Sequence, residues 1–260
     1  PIRTKDFEWA LRGNVSFNKN IITKTFYQEF KQVPQKSSLL SENDNVYIQG
    51  YSVGAWLGYD FAGIDPKTGH TLAYAEDGTK VDMDMFNNRT LALKRPPMHY
   101  LGEGNPTTTG GFATEFRYKQ WELNAQFEFQ TGHLIPTISS TMNHNYNYSG
   151  NRYIADQYRW RAVGDVAERP YLGINNTAYD QYRFNTSLEK GDYLRCTYTS
   201  LGYRLTEELC KKLSVRSARI AITASNLFTL TNFKGIDPAS MGTLSYPSTR
   251  TYSITLNVGF

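Results

Sequence analysis

The sequence predicts an all-β fold built from strands of a large antiparallel transmembrane β-barrel. Two segments carry this prediction. Within residues 250–260, alternation between polar or small and apolar side chains is strict from Thr251 to Phe260, so one face of the strand is apolar and the other polar. Residues 121–131 repeat the pattern, with two carboxylates on the polar side. Both segments match the roughly 9–11 tilted residues that a strand needs to cross a bilayer.

A soluble β-sandwich is the alternative explanation, because its half-buried strands also alternate. Two further observations favour the barrel. Phe260 ends the chain on an aromatic residue, which resembles the terminal strand of bacterial outer-membrane barrels. The second face of 121–131 is also more polar than a water-soluble core requires, whereas a water-filled lumen requires such a face.

Charge and hydropathy exclude several classes of protein. The 28 basic and 24 acidic residues are interspersed and give a net charge of +4, so the chain lacks the basic stripe of nucleic-acid-binding proteins. No apolar run reaches the roughly 18 residues of a transmembrane helix. The mean hydropathy of −0.53 is compatible with a barrel, because barrel strands are half polar. We expect Cys196 and Cys210 to be unpaired, and the four histidines show no metal-ligand spacing.

Taken in order, the chain contains seven predicted strands and one short predicted helix. The helix spans 206–213, with Thr206 as its cap, acidic residues in the first turn and lysines in the last. A change of phase within 192–204 predicts a β-bulge near Thr199 and Ser200. The predicted strands are 7–17, 50–59, 111–118, 121–131, 192–204, 216–228 and 250–260.

The lengths of the connections predict how the strands are oriented, because barrels have short periplasmic turns and long external loops. A periplasmic C-terminus places 119–120 and the helix on the periplasmic side, and it makes 18–49 an unusually long periplasmic connection. Bacterial single-chain barrels have an even number of strands, so a chain with seven is expected to be part of a larger one. A start at Pro1 without a signal peptide also suggests a mature or truncated piece. The predicted external loops are 60–110, 132–191 and 229–249.

Alternation assigns the strand side chains to two environments. The apolar positions are predicted to face lipid: Trp9, Leu11, Trp121, Leu123, Phe127, Phe129, Ile220, Ile222, Tyr252, Ile254, Leu256, Val258 and Phe260. The alternate positions are predicted to face the lumen: Arg12, Asn14, Glu122, Asn124, Gln126, Glu128, Arg219 and Thr223.

No combination of residues predicts catalysis, so we expect neither an enzyme nor a cofactor. Glu122 and Glu128 lie about 20 Å apart along one strand, too far for the carboxylate pair of a glycosidase. Asp82 and Asp84, preceded by Asp77, carry oxygens that could bind calcium, but they lack the spacing of a defined calcium loop. We therefore predict a solvated acidic loop and no metal site.

An ordered set of short phrases resembles the SusC/RagA family of TonB-dependent outer-membrane transporters. The set covers essentially the whole chain, and its order is more specific than any single phrase. The phrases are Gly63-Ile64-Asp65-Pro66-Lys67-Thr68-Gly69; Arg159-Trp160 with Gly164-Asp165 and Pro170; Gly191-Asp192-Tyr193-Leu194-Arg195 with Leu201-Gly202-Tyr203; Ser225-Asn226-Leu227-Phe228-Thr229; Gly235-Ile236-Asp237-Pro238; and Tyr246-Pro247-Ser248-Thr249-Arg250.

The resemblance implies a barrel of about 22 strands around an N-terminal plug, with a SusD-like lipoprotein over the external mouth. Residues 1–260 would be the last third of that protein, a C-terminal part of a single barrel domain without the plug or the earlier strands. TonB would act on the missing plug to drive import of oligosaccharides or oligopeptides across the outer membrane of a Gram-negative bacterium. The other partners would be the lipid bilayer and the rest of the barrel. A secreted or surface glycan-binding sandwich and a passive porin are the alternatives.

The external aromatic residues are the candidates for contact with a substrate or partner. Aromatic walls with a few polar groups are typical of ligand sites. The same side chains could instead pack within the loop or face the lid protein. The candidates are Tyr146, Tyr148, Tyr153, Tyr158 and Trp160.

Overall fold

The computed structural model describes residues 1–24, 49–84, 98–137, 157–171, 184–240 and 246–260. The predicted all-β class is confirmed. Among these residues, no helix is long and apolar enough to span a membrane. The strands are β1 (Ile2–Arg3), β2 (Phe7–Phe17), β3 (Ala55–Gly58), β4 (Phe61–Ile64), β5 (Thr71–Tyr74), β6 (Lys80–Asp82), β7 (His99–Glu103), β8 (Thr108–Tyr118), β9 (Trp121–Thr131), β10 (Leu134–Pro136), β11 (Leu188–Lys190), β12 (Tyr193–Arg204), β13 (Ser217–Thr231) and β14 (Thr251–Gly259), and the helix α1 is Glu207–Lys212.

One antiparallel sheet dominates the described residues, with the order β1-β2-β8-β9-β12-β13-β14. We call it the main sheet. Its strands pair in the order in which they occur in the chain, as in the meander of an up-and-down barrel. The tightest connection joins β8 to β9, where Tyr118 pairs with Trp121 and Lys119 takes a positive φ of 51°. A left-handed residue at this position suits a two-residue hairpin, because its twist matches that of the flanking strands.

The predicted strand 50–59 is wrong. Only Ala55–Gly58 is extended, and it pairs with β7 rather than with the main sheet. Gly50 and Gly54 both take positive φ values, which interrupt the extended backbone before β3. Alternation over 50–59 therefore reflects a short strand after a turn. It does not reflect a strand of the main sheet.

This correction also changes the connections. β2 pairs directly with β8, so everything between them, including 18–49, leaves and returns at one end of the main sheet. The predicted periplasmic connection at 18–49 is therefore wrong. We call this end the loop end, and its connections are 18–107, 132–192 and 232–250. The opposite end, the turn end, has the connections 4–6, 119–120 and 205–216.

The predicted β-bulge is present, but earlier than expected. The register of β12 shifts between Cys196 and Tyr198 against both neighbouring strands, so the irregularity lies at Thr197. On β13 the same irregularity includes Asn226, with φ of 51°. Because the extra residue precedes Tyr198, that side chain lies on the polar face, whereas Leu201 lies on the same face as Cys196.

The helix at the turn end agrees with its prediction except at the cap. Thr206 occupies the cap position with extended φ and ψ, but its side chain makes no capping hydrogen bond. Glu207 and Glu208 fill the first turn and the lysines the last, as the helix dipole favours. Cys196 and Cys210 are both free and buried, which confirms that they are unpaired.

The two faces of the main sheet separate by polarity. Every predicted lipid-facing residue that lies within a strand is on one face, and every predicted lumen-facing residue is on the other. Side chains in one cross-strand row share a face because directly paired residues point the same way. A row on the apolar face contains Trp9, Phe116, Leu123, Leu201, Ile222 and Ile254. The adjacent row on the polar face contains Ala10, Glu115, Asn124, Ser200, Thr223 and Ser253.

A smaller assembly lies at the loop end. β4, β5 and β6 form a three-stranded sheet, β3 and β7 pair on either side of it in the sequence, and β10 pairs with β11 in the second long connection. Its buried core contains Tyr59, Ala73, Met83 and Phe184. Tyr59 bridges to Phe184 in parallel, which ties the first long connection to the second. The loop-end segments therefore share a core of their own.

Candidate functional site

The polar face of the main sheet carries a charge cluster at the turn end. Glu122 Oε1 lies 2.5 Å from Arg204 Nη2 and 3.5 Å from Arg117 Nε. Its Oε2 lies 3.0 Å from Arg219 Nε. Only 10% of the Glu122 side chain is exposed, and a charge so far removed from water needs partners of opposite sign. Register brings these groups together, because Arg117 pairs with Glu122 and Arg204 with Arg219.

Glu8 extends the cluster towards the first strands. It lies 2.6 Å from Arg3 Nη2 and 3.1 Å from Arg117 Nη1. Two carboxylates therefore serve four guanidinium groups. Glu122 and Arg219, which the sequence predicts to face the lumen, both lie on the polar face and contact each other directly.

The remaining predicted lumen-facing residues lie higher on the same face. Arg12 forms an ion pair with Glu115 across β2 and β8, and Asn14 Oδ1 accepts a hydrogen bond of 3.2 Å from the backbone N–H of Gly111. Glu128 lies 3.8 Å from Arg195. Asn124, Gln126 and Thr223 share this face by register.

Arg195 anchors the third long connection to the polar face near the loop end. Its Nη2 lies 2.5 Å from Asp237 Oδ1, and both side chains are under 10% exposed. Its Nη1 donates to Ser248 Oγ at 3.1 Å, and its Nε donates to Thr229 Oγ1 at 3.1 Å. We call this set the Arg195 anchor. It joins four of the signature phrases, those that contain Arg195, Thr229, Asp237 and Ser248.

Asp237 is held as a carboxylate by this environment. Burial raises the pKa of its carboxyl, but hydrogen bonds from the backbone N–H groups of Ser248 and Ala239, together with the Arg195 guanidinium, lower the pKa more. The resulting pKa lies below the usual value of 3.8. The anchor is therefore charged on both sides at neutral pH.

A second contact joins two other signature phrases. Trp160 Nε1 donates to the carbonyl of Pro66 at 3.0 Å, and the Gly164 N–H donates to the same carbonyl at 2.8 Å. A Cβ on Gly69 would lie 2.5 Å from Trp160 Cε3, so the indole packs directly on that glycine. Gly69 also has a φ of 74°, which favours glycine. We call this the Trp160 contact.

The Trp160 contact gives the predicted aromatic candidates for substrate contact different surroundings. Trp160 packs within the loop-end assembly and does not present its indole N–H to a substrate. Tyr158 has 57% of its surface exposed and stays a candidate for contact with a ligand. Tyr146, Tyr148 and Tyr153 lie outside the described residues.

The predicted acidic loop divides into two parts. Asp77 caps its own turn, accepting hydrogen bonds from the N–H and hydroxyl of Thr79, which lower the pKa of its carboxyl. Asp82 and Asp84 lie instead beside His70, and one ligand atom from each residue falls within a span of 4.8 Å. These atoms already accept or share hydrogen bonds: His70 Nδ1 with Asp82 Oδ2 at 2.8 Å, and the Thr71 N–H with Asp84 Oδ2 at 3.2 Å. The cluster contains metal-ligand types, and its hydrogen bonds hold β5 against β6.

One further group at the loop end has no counterpart in the sequence predictions. Tyr51, Tyr100 and Glu103 line a cleft of about 300 Å³ beside the ends of β2 and β8. We call it the tyrosine cleft. Tyr51 lies in the stretch 50–59, whose alternation predicts a strand with Tyr51 on its apolar face. Nothing in the local pattern indicates that it meets Tyr100, 49 residues later.

Curated relatives match the whole chain at low identity. No protein-family model matches it. It is 23% identical over 282 residues to TonB-dependent receptor P3 of Formosa agariphila, covering 100% of this chain and 27% of that protein. It is 23% identical over 273 residues to TonB-dependent receptor SusC of Bacteroides thetaiotaomicron, covering 100% of this chain and 25% of that protein. The chain therefore spans about a quarter of the length of these relatives.

Solved structures share the fold. The RagAB peptide transporter matches with a TM-score of 0.75 at 24% identity, over 100% of this chain and 28% of that chain. The RagAB peptide importer in its closed-closed state also matches with a TM-score of 0.75, at 23% identity over 100% of this chain and 28% of that chain. The relatives are named as receptors and the solved structures as transporters or importers. Together with the signature phrases, these matches support a SusC/RagA-type assignment: over its whole length the chain is similar to a β-barrel segment of proteins named as TonB-dependent receptors.

Proposed function

We propose that this chain forms the C-terminal strands of an outer-membrane importer for oligosaccharides or oligopeptides, driven by TonB through a plug outside these residues. The separation of the two faces of the main sheet carries this proposal. Its apolar face contacts lipid, and its polar face lines a water-filled lumen. The loop end faces outward, where a SusD-like lipoprotein covers the mouth.

The apolar face favours a sheet in contact with a membrane, and it does not favour a soluble β-sandwich. Ile254 is 74% exposed and Leu256 is 65% exposed, although both belong to a continuous apolar surface. A sandwich would bury such a surface under a second sheet. Large exposed apolar patches mark contacts with membranes or other proteins, and here the patch extends over consecutive crossing strands.

The polar face supports a lumen. It carries ion pairs along its length, from the charge cluster at the turn end to the Arg195 anchor near the loop end. The interior of a transmembrane barrel tolerates such charges, while the lipid face does not. All long connections of the main sheet lie at one end, as expected for external loops.

Uptake by the full-length protein tests the proposal. Cells that express it should accumulate a fluorescent oligopeptide or oligosaccharide, and deletion of TonB should abolish this accumulation. A matched strain that expresses a passive porin for a small solute serves as the control for general membrane damage. Uptake that continues without TonB would indicate a passive pore. A full-length protein that purifies stably without detergent would contradict the barrel itself.

A further inference from the structure

The tyrosine cleft is held rigidly at the loop end. The Asn105 amide donates to the Val53 carbonyl at 2.8 Å, and the Val53 N–H donates to Asn20 Oδ1 at 2.7 Å. The Gly104 N–H donates to the Gly54 carbonyl at 3.0 Å. These bonds fix the segment that carries Tyr51 against β7. A wall fixed before binding loses little freedom when a ligand arrives.

Two aromatic rings and one carboxylate converge in the cleft. The ring centroids of Tyr51 and Tyr100 are 5.6 Å apart, with 31° between their planes. Glu103 Oε1 accepts a hydrogen bond of 2.8 Å from the Tyr100 hydroxyl, and Glu103 Oε2 accepts one from Ser52 Oγ. Each carboxylate oxygen has a second lone pair, so Glu103 has capacity for further donors.

The two hydrogen bonds that Glu103 accepts do not pair its charge with a cation. Both of its hydrogen-bond donors are neutral hydroxyl groups. Burial, together with the hydrogen bond to Glu103 and its charge, raises the pKa of Tyr100 to about 12, so this phenol stays neutral at physiological pH. Among the residues that the structure describes, no lysine, arginine or histidine forms an ion pair with Glu103. Lys19 lines the same cleft but makes no such contact.

We propose that the tyrosine cleft binds the N-terminal ammonium group of a peptide. Glu103 accepts the ammonium hydrogens, and the rings of Tyr51 and Tyr100 attract the charge through their faces. Cations bind favourably within about 6 Å of an aromatic centroid. A neutral sugar could stack on the same rings, but its hydroxyls would leave the carboxylate charge unbalanced. This inference rests on the proposed import function and narrows its substrate to peptides.

Binding of a matched peptide pair to the full-length protein in detergent tests this assignment. The probes are a lysine-free heptapeptide with a free N-terminus and its N-acetylated form, measured by calorimetry. We expect the free amine to bind at least about tenfold more tightly, because acetylation removes both the positive charge and the charged hydrogen-bond donors that Glu103 would accept. This comparison uses unmodified protein, so it stands whether or not a variant folds.

Three variants distinguish the charge of Glu103 from the hydrogen bonds that fix the cleft. Glu103→Gln should abolish the difference between the two peptides. Ser52→Ala removes a bond that fixes the cleft but keeps the charge, so it should preserve the difference. Glu76→Gln is the matched control, since it removes an exposed carboxylate from another turn at the loop end. Loss of the difference in Ser52→Ala as well as in Glu103→Gln would show a structural role only.

Other outcomes overturn the proposal. Equal binding of the two peptides, or binding of neither, would remove the ammonium site while leaving TonB-dependent uptake intact. Binding of maltoheptaose that Glu103→Gln weakens would reassign the cleft to sugars. Loss of TonB-dependent uptake of every probe would instead contradict the proposed import function.

Discussion

Replacing Ile254 with arginine tests which face of the main sheet contacts lipid. Ile254 lies near the middle of β14 and pairs with Ile222 on the apolar face. With 74% of its surface exposed, it has no protein layer over it to accommodate a charge. Arginine on the lipid face near the bilayer midplane costs about 2–4 kcal/mol. That cost lowers the folded-to-unfolded ratio by roughly 30- to 700-fold, at about 1.4 kcal/mol per tenfold.

Ser253→Arg is the matched control. Ser253 precedes Ile254 at nearly the same depth and pairs with Thr223 on the polar face, so its arginine enters the lumen. The assay is the folded fraction of full-length protein in the outer membrane, measured by the heat-dependent gel shift of folded barrels, with urea titration of vesicle-inserted protein for the energy. We expect a loss of about 2–4 kcal/mol for Ile254→Arg and under about 1 kcal/mol for Ser253→Arg. Equal tolerance of both arginines, or a larger cost for Ser253→Arg, would refute the assignment of the faces.

Three further predictions concern the loop end. Asp237→Asn leaves the buried Arg195 guanidinium without its charged partner. We therefore expect this variant to destabilise the anchor by about 3–5 kcal/mol and to speed proteolysis within 232–250. Unchanged proteolysis would contradict the anchor. Because the folded pKa of Asp237 lies below its unfolded value of 3.8, its stabilisation should be complete above that pH and lost as pH falls further, and a protection profile that stays flat down to pH 2 would contradict this. Gly69→Ala places a Cβ against the Trp160 ring at a positive φ, so it should lower the free energy of unfolding by about 1–3 kcal/mol and change the fluorescence of Trp160. Gly78→Ala also has a positive φ but meets open space, so it should leave that fluorescence unchanged.

The separation of the two faces could be predicted from sequence because it follows from one local rule. Side chains alternate along a strand, so Ile254 and Thr255 fall on opposite faces whatever the rest of the chain does. The two faces of β9 follow in the same way, and register with the neighbouring strands extends them across the sheet. The variants Ile254→Arg and Ser253→Arg test the assignment of these faces to lipid and lumen.

The errors came from features that alternation does not encode. Residues 50–59 alternate, but two glycines with positive φ end the extended backbone before β3. The hydrophobic phase visibly changes only at Leu201, so the sequence predicts the bulge near Thr199 and Ser200. The extra residue is Thr197, and only its pairing with β9 and β13 identifies it.

The sites that hold the loop end together depend on contacts between distant segments. Arg195 and Asp237 are 42 residues apart, and Trp160 and Pro66 are 94 apart. Each of these residues belongs to a signature phrase, so the family resemblance marks them as notable. It does not predict which of them contact each other. Tyr51 and Tyr100 belong to no such phrase, and only their proximity in space reveals the tyrosine cleft.

The most direct test of the account is the accessibility of spin labels along β14 in the membrane. Labels would be placed one at a time at Tyr252, Ser253, Ile254, Thr255 and Leu256 of the full-length protein, with both buried cysteines replaced by alanine. We predict that labels at 252, 254 and 256 are accessible to oxygen dissolved in lipid, and that labels at 253 and 255 are accessible to a water-soluble nickel complex. Uniform access of the nickel complex to all five positions would contradict a lipid-facing apolar surface, and with it the barrel.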